Sequence, residues 1–230
     1  MNKKISIAID AMGGENSPKK TINGIDLFIK KNISNDDFFL NIYGDKILIQ
    51  NEIQKYKIPS HLFKIIHTDS VVSDKETPLT AIKNSKDTSM WNSIKSQTDG
   101  TSDISLSAGN TGVLLVISRM ILKMMSKVSK PALAGLWPNQ KGMNVVLDLG
   151  ANIECSSKNL LDFSIMGASL YTSLYPNDKP NVALLNIGSE ELKGNEIIKE
   201  TYQLLNEKKS NNYNFAGYIE GNHLMDGEVN

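Results

Sequence analysis

Short, continuously apolar runs recur along this 230-residue chain, and most are followed by a stretch of helical periodicity or by a turn that carries glycine. Ile5 to Ile9, Phe38 to Tyr43, Lys64 to His67, Ile104 to Ser107, Ala132 to Trp137, Asn144 to Asp148, Asn181 to Asn186 and Tyr213 to Ile219 read as strands. Ile22, Ile25 and Ile29 recur at helical spacing behind Pro18. Pro78 to Asn84, Asp87 to Gln97, Gly112 to Met125, Leu160 to Tyr175 and Asn195 to Glu207 also read as helices, and Asp45 is placed to cap another after Gly44. Strands without a polar face, alternating with helices, predict an α/β fold with a mainly parallel sheet covered on both faces. The Pro138 to Gly142 turn suits one antiparallel hairpin. No repeat, low-complexity tract or long linker breaks the pattern, so residues 1–230 read as a single domain.

Composition removes several classes of function. The 25 basic and 25 acidic residues cancel, so the chain has no electrostatic pull on nucleic acid or an anionic membrane. A lone cysteine, Cys155, excludes an intrachain disulfide and a Cys/His metal cluster. The apolar run after Lys3 and Lys4 ends at Asp10, too early for a signal peptide. Val113 to Met125 is cut by Ser118 and Arg119, well short of a membrane span. The reading is a reduced, cytoplasmic protein.

Four glycine-bearing turns follow four of the strands: Met12-Gly13-Gly14, Ala108 to Gly112, Asp148 to Asn152 around Gly150, and Asn186-Ile187-Gly188 running on to Lys193-Gly194-Asn195. In a parallel sheet the strand C-termini share one edge, where ligands bind, so these loops are expected to meet there. Glycine lets backbone approach a ligand, and N–H groups at helix starts favour an anion. Ser107-Ala108-Gly109-Asn110-Thr111-Gly112 is the strongest element: its amides, the Asn110 amide and the Thr111 hydroxyl suit phosphate, and the alternative is a turn capped by Asn or Thr. It is neither a P-loop nor a dinucleotide fingerprint. Asp10 and Asp148 end strands beside such loops, where a carboxylate can orient a ligand hydroxyl, take a proton or hold a metal, and the alternative is a helix or turn cap; Lys193 is placed to balance phosphate charge, and Glu190 and Glu191 read as a solvated loop. Cys155 has none of the three histidines near it in sequence, and no Gly-x-Ser-x-Gly elbow occurs, so covalent catalysis lacks an evident nucleophile.

In this order, Ile7 to Gly14, Ser107 to Gly112, Pro131-Ala132-Leu133, Leu147 to Asn152, Leu184 to Glu191, Lys193-Gly194-Asn195 and Asn214 to Gly221 resemble the bacterial phosphate acyltransferases of phospholipid synthesis. The resemblance implies a Rossmann-like three-layer α/β/α sandwich akin to the isopropylmalate dehydrogenases and phosphotransacetylases. It implies transfer of a fatty acyl group from acyl carrier protein to inorganic phosphate, with no organic cofactor or metal. A homodimer, peripheral membrane association and a membrane glycerol-phosphate acyltransferase as consumer of the product are further implications. Asp10, Asn110, Asp148, Asn152 and Lys193 become the expected catalytic set. Gly13, Gly14, Ser107, Gly109, Thr111, Gly112, Gly150, Asn186 and Gly188 become the expected phosphate and substrate contacts. Three positions depart from the family pattern: Glu15 replaces Asp, Lys130 replaces the Arg before Pro-Ala-Leu, and Trp91 stands where many members carry Arg. The pattern also continues past Asn230, so the chain is expected to lack the last third of the fold. The competing expectations are a phosphotransacetylase-like enzyme acting on coenzyme A thioesters, and a phosphate- or carrier-protein-binding fragment without turnover.

Overall fold

The computed structural model describes residues 4–32, 37–73, 76–188, 193–208 and 210–230. It divides into two compact units, residues 1–123 and 124–230. The first holds β1 (Ile5–Asp10), α1 (Lys19–Lys31), β2 (Phe38–Gly44), α2 (Lys46–Ile53), β3 (Phe63–His67), α3 (Pro78–Asn84), α4 (Ser89–Thr98), β4 (Ile104–Ser107) and α5 (Thr111–Leu122). The four strands form a parallel sheet in the order β3-β2-β1-β4. Apolar periodicity explains the packing. Ile22, Ile25 and Ile29 of α1 and Ile49 of α2 close over Ile9, Leu40 and Ile42 of the sheet. Burying each such side chain fully contributes about 1.5–3 kcal/mol. A separate cluster joins Met90 and Ile94 of α4 to Val113 and Ile117 of α5.

Sequence expectations and structure agree closely in this unit. Asp45 caps α2 by accepting from the Leu48 N–H at 2.9 Å, and Thr88 caps α4 through the Trp91 N–H at 3.2 Å. The helix expected to reach Met125 stops at Leu122, where Lys123 adopts φ +65°. Apolar residues continue past that point, so periodicity alone overshot the end.

One polar residue inside the sheet is structural. Asn41, 8% exposed in β2, donates from Nδ2 to Ser6 Oγ, the Thr101 carbonyl and Ser102 Oγ at 3.0–3.1 Å. It ties the turn before β4 to β1. Asn41→Leu is expected to destabilise the protein by about 1–3 kcal/mol, because the buried Ser102 hydroxyl loses this partner, while Ser6 Oγ and the Thr101 carbonyl keep their bond to each other. Urea denaturation of both forms checks this; equal midpoints would refute it.

The second unit holds β5 (Gly135–Asn139), β6 (Gly142–Val146), α6 (Ser157–Leu174), β7 (Asn181–Leu185), α7 (Glu196–Glu207) and β8 (Asn214–Ile219). The expected hairpin is present, but its strands sit later and earlier than read: β5 and β6 pair antiparallel through Asn139↔Gly142, so the strands absorb most of the expected turn. Pro138 is tolerated because a two-stranded ribbon leaves its missing N–H unneeded. α6 starts a turn earlier than expected because Ser156 and Asn159 form a reciprocal cap. β7 and β8 pair in parallel, and Leu161, Ala168, Leu184, Leu205 and Tyr213 make the core of this unit. Both units alternate strand and helix, with parallel pairing except in the hairpin: the expected α/β class.

Candidate functional site

In the first unit two glycine turns are locked together where β1 and β4 end, with Asp10 and Ser107 in register. Asp10 is only 2% exposed. Its Oδ2 accepts from the Ser107 hydroxyl at 2.7 Å, and its Oδ1 from the Met12 N–H at 3.2 Å. Ser107 Oγ accepts in turn from the Gly109 N–H at 3.1 Å. Gly13 fits into this chain of bonds with no space for a side chain: a Cβ would lie 2.5 Å from Asp10 Oδ2, 2.8 Å from Ser107 Oγ and 2.9 Å from Gly109 N. Gly14 adopts φ +86°, and a Cβ there would lie 2.6 Å from the Ala108 carbonyl. Residues 10–14 and 107–109 therefore form one knot, which the sequence suggested only as two loops at a common edge.

Asn110 is the N-cap of α5. Its Oδ1 accepts from the Val113 N–H at 3.1 Å and its Nδ2 donates to the Glu76 carbonyl at 3.2 Å. Its amide is thus engaged in the capping arrangement weighed as the alternative to ligand binding. Thr111 opens the helix, exposed, and Gly112 packs beside Pro78. The first-turn N–H groups of α5 lack intrahelical acceptors, as at any helix start. Beside the knot a cavity of about 590 Å³ runs between α1 and the strands, lined by Asp10, Gly13 and Ser107 at one end and by Ile7, Phe28 and Leu106 further along.

In the second unit Asp148 organises the turn after β6. Oδ1 accepts from the N–H groups of Leu133 and Ala151 at 2.8 and 3.1 Å; Oδ2 accepts from the N–H and the side-chain amide of Asn152 at 2.8 and 2.9 Å. Burial pushes the Asp148 carboxyl up, but these four donors together outweigh it and hold it below its ordinary value of 3.8. Asn152 Nδ2 also donates to the Pro131 carbonyl at 2.7 Å, and Lys130 Nζ to the Glu154 carbonyl at 2.6 Å. Segment 130–133 is thus strapped to turn 148–154. Gly150 adopts φ +91° in this turn. Pro131-Ala132-Leu133 had a sequence signal but no role; its role here is to supply the Leu133 N–H and Pro131 carbonyl.

Asn186 clasps the next loop by donating from Nδ2 to the Gly188 and Lys193 carbonyls at 3.0 and 3.1 Å. Gly194 adopts φ +95°, and a Cβ there would lie 2.6 Å from Asn186 Oδ1. Gly188 is buried and Lys193 exposed, whereas Ser189, Glu190 and Glu191 lie outside the described residues. Cys155 is half-buried.

Two solved phosphotransacetylases share this fold. The EutD enzyme of Staphylococcus aureus superposes with TM-score 0.66 at 14% identity, covering 95% of this chain and 69% of that one. The Streptococcus pyogenes enzyme does so with TM-score 0.66 at 12% identity, covering 94% and 68%. The architecture is therefore that of the phosphotransacetylase-like α/β class. Within it, the chain belongs to the family described as fatty acid synthesis protein, whose model matches residues 5–230. The phosphate acyltransferase of Pelagibacter ubique is 59% identical over 230 residues, all of this chain and 68% of that protein. Those of Azorhizobium caulinodans and Ehrlichia ruminantium are 35% and 38% identical, over 64% and 66% of their lengths. The chain spans about two thirds of the length of these relatives.

Proposed function

We propose that this protein forms acyl phosphate from acyl carrier protein thioester and inorganic phosphate, with the Asp10–Gly14/Ser107–Gly109 knot as its phosphate cradle. The observation that carries this reading is the space at Gly13, too tight for any side chain, in a turn that presents backbone at a strand end. Asp10 is buried and both its oxygens accept bonds from the turns, so it acts by aiming Ser107, and through it the Gly109 N–H, rather than by touching phosphate. Backbone at Gly13, Gly14 and the start of α5, with the Thr111 hydroxyl, supplies the donors; Asn110 and Gly112 shape that start. In the second unit Asp148, Asn152 and Gly150 hold one turn, Asn186 and Gly188 hold the next, and Lys193 contributes positive charge. Similarity to proteins named phosphate acyltransferase supports the acyl and phosphate chemistry.

The step is direct. A phosphate oxygen attacks the thioester carbonyl carbon, the C–S bond breaks as the acyl C–O–P linkage forms, and the carrier thiolate leaves and takes up a proton. No enzyme nucleophile is required. Acyl carrier protein and phosphate are the partners, the active form is a homodimer, and a membrane glycerol-phosphate acyltransferase takes the product from the cytoplasmic side.

The test offers the purified protein phosphate with either acyl carrier protein or coenzyme A thioesters, traps acyl phosphate with hydroxylamine and measures thiol release. Phosphate-dependent hydroxamate from the carrier-protein thioester is expected, and Cys155→Ala should retain most of it. Turnover of coenzyme A thioesters alone would favour the phosphotransacetylase reading. A stable acyl-cysteine adduct lost in Cys155→Ala would overturn direct transfer, and phosphate binding without turnover would favour the non-catalytic reading.

A further inference from the structure

In the second unit the edges of β6 and β7 border a common slot. β6 pairs only with β5 and β7 only with β8, so among the described residues each has one unpaired edge. Every residue of β7, Asn181–Leu185, and residues 144–146 of β6 line the slot. Side chains alternate between the two faces of a strand, so a cavity lying over one face would meet every second residue. The unbroken lining places the slot along the strand edges instead. α6 covers it with Ser164, Gly167 and Ala168.

The edge of β7 already has a partner at its first residue. Asn230 donates its N–H to the Asn181 carbonyl at 3.2 Å, and Asn181 donates its N–H to Asn230 Oδ1 at 2.7 Å. Asn230 Nδ2 also donates to the Tyr171 hydroxyl at 3.0 Å, which fixes Asn230 against α6. The Pro180 carbonyl accepts from the Asn214 N–H and the Asn186 N–H donates to the Ile219 carbonyl, so the even-numbered positions face β8. Backbone groups alternate in direction along a strand, so Ala183 and Leu185 follow Asn181 in facing the slot. Segment 224–230 runs from the turn before β6, where the Met225 carbonyl accepts from the Gln140 N–H at 2.9 Å, to the start of β7. The starts of β6 and β7 therefore lie at one end of the slot, and Asp148 and Leu149 line the other.

We infer that this slot is the seat of one further β-strand, which enters at Asn230, runs parallel to β7 and is supplied by the polypeptide that follows this position in longer relatives. The phosphate acyltransferase of Pelagibacter ubique, matched over 68% of its length, is such a relative. Residues 181–183 are half-buried, and each backbone group left unpaired away from water costs about as much as a lost hydrogen bond. One extended segment pairs with both edges at once. A strand of about five or six residues, the commonest length, spans β7 from Asn181 to Leu185. The turn that follows it then emerges between turn 148–152 and the loop after Asn186, so the seat adds a third element to that end of the second unit.

The test adds to the unmodified protein a fluorescein-labelled peptide of about ten residues, an ordinary strand with its flanks. Its sequence is the stretch that follows the matched one in the Pelagibacter ubique protein. Anisotropy reads binding, and hydrogen exchange reads its place. A single peptide should bind per chain, with exchange slowed at Ala183, at Leu185 and in β6. The same peptide with alternate backbone nitrogens methylated should bind at least about tenfold more weakly, and so should the original peptide to Ala183→Pro. Proline at 183 removes an N–H that faces the slot and spares the ladder to β8, as an edge strand tolerates. The methylated peptide probes the same pairing with the protein unchanged. No binding to the unmodified protein, or binding that withstands both changes, overturns the inference. Protection that appears at β4 rather than at β6 and β7 overturns it too. So does slow exchange at Ala183 and Leu185 before peptide is added, because β6 and β7 joining each other, or a second copy of the chain, would then fill the slot.

Discussion

Gly13→Ala is expected to lower acyl phosphate formation about a hundredfold, the scale of loss when reacting groups are displaced by roughly 1 Å. The added methyl cannot be accommodated by a small adjustment. It would lie 2.5 Å from a buried carboxylate oxygen, 2.8 Å from the hydroxyl bonded to that carboxylate, and 2.9 Å from the Gly109 nitrogen. All three obstacles belong to one hydrogen-bonded chain, and the last of them is backbone, so the turns must separate. Overpacking of this kind costs about 1–3 kcal/mol of stability as well. Gly109→Ala is the informative control. The nearest obstacle to its Cβ is Met90 Cε at 2.7 Å, the far end of a flexible side chain that can swing away. Gly109→Val, with two further carbons, should still impair phosphate binding by blocking backbone approach. The expected order of loss is Gly13→Ala above Gly109→Ala, in both turnover and phosphate affinity by calorimetry. A Gly13→Ala protein with native phosphate affinity would refute the cradle.

Features that depend on neighbours in the chain were legible in the sequence. The apolar spacing of Ile22, Ile25 and Ile29, the cap at Asp45 and the strand-turn-helix order around Ser107 all follow from local residue chemistry. Boundaries failed where a local signal was ambiguous. Pro138 and Asn139 look like turn residues, yet an unpaired ribbon edge tolerates both inside β5. Ser156 pairs with Asn159 rather than with the Glu or Gln of the usual cap signature, so the first turn of α6 passed unread. Side-chain partners across long separations were not legible. Nothing near Asn41 announces that it serves residues 6, 101 and 102. The residue types at Asp10 and Ser107 suggested a site, but the bond between them arises only once β1 and β4 are paired. Asn110 shows the limit of residue type: the same amide suits a phosphate or a helix cap, and its partners are Val113 and Glu76.

Asp148→Ala is expected to be the most damaging change in the second unit. It removes the acceptor for three backbone N–H groups and one side-chain amide, and with it the link between segment 131–133 and turn 148–152. Hydrogen bonds to a charged acceptor contribute about 1.5–3 kcal/mol net. The site is half-buried, so water reclaims some of the freed donors, and the expected loss is in that range rather than the sum over four bonds. Asp148→Asn separates shape from charge, because it can keep acceptance at one oxygen but places an NH₂ group against donors on the other side. The pH dependence distinguishes the two effects. The folded protein holds this carboxyl below its ordinary value of 3.8, so the unfolded chain takes up a proton first as pH falls. The stabilisation is therefore complete above that ordinary value and disappears as pH drops through the lower, folded one. Unfolding by urea at a series of pH values should show Asp148→Asn least stable relative to the unmodified protein near neutrality, with the difference shrinking in strong acid. A difference that stays constant across the acid range would show that the charge of Asp148 contributes nothing and that the turn is held by shape alone.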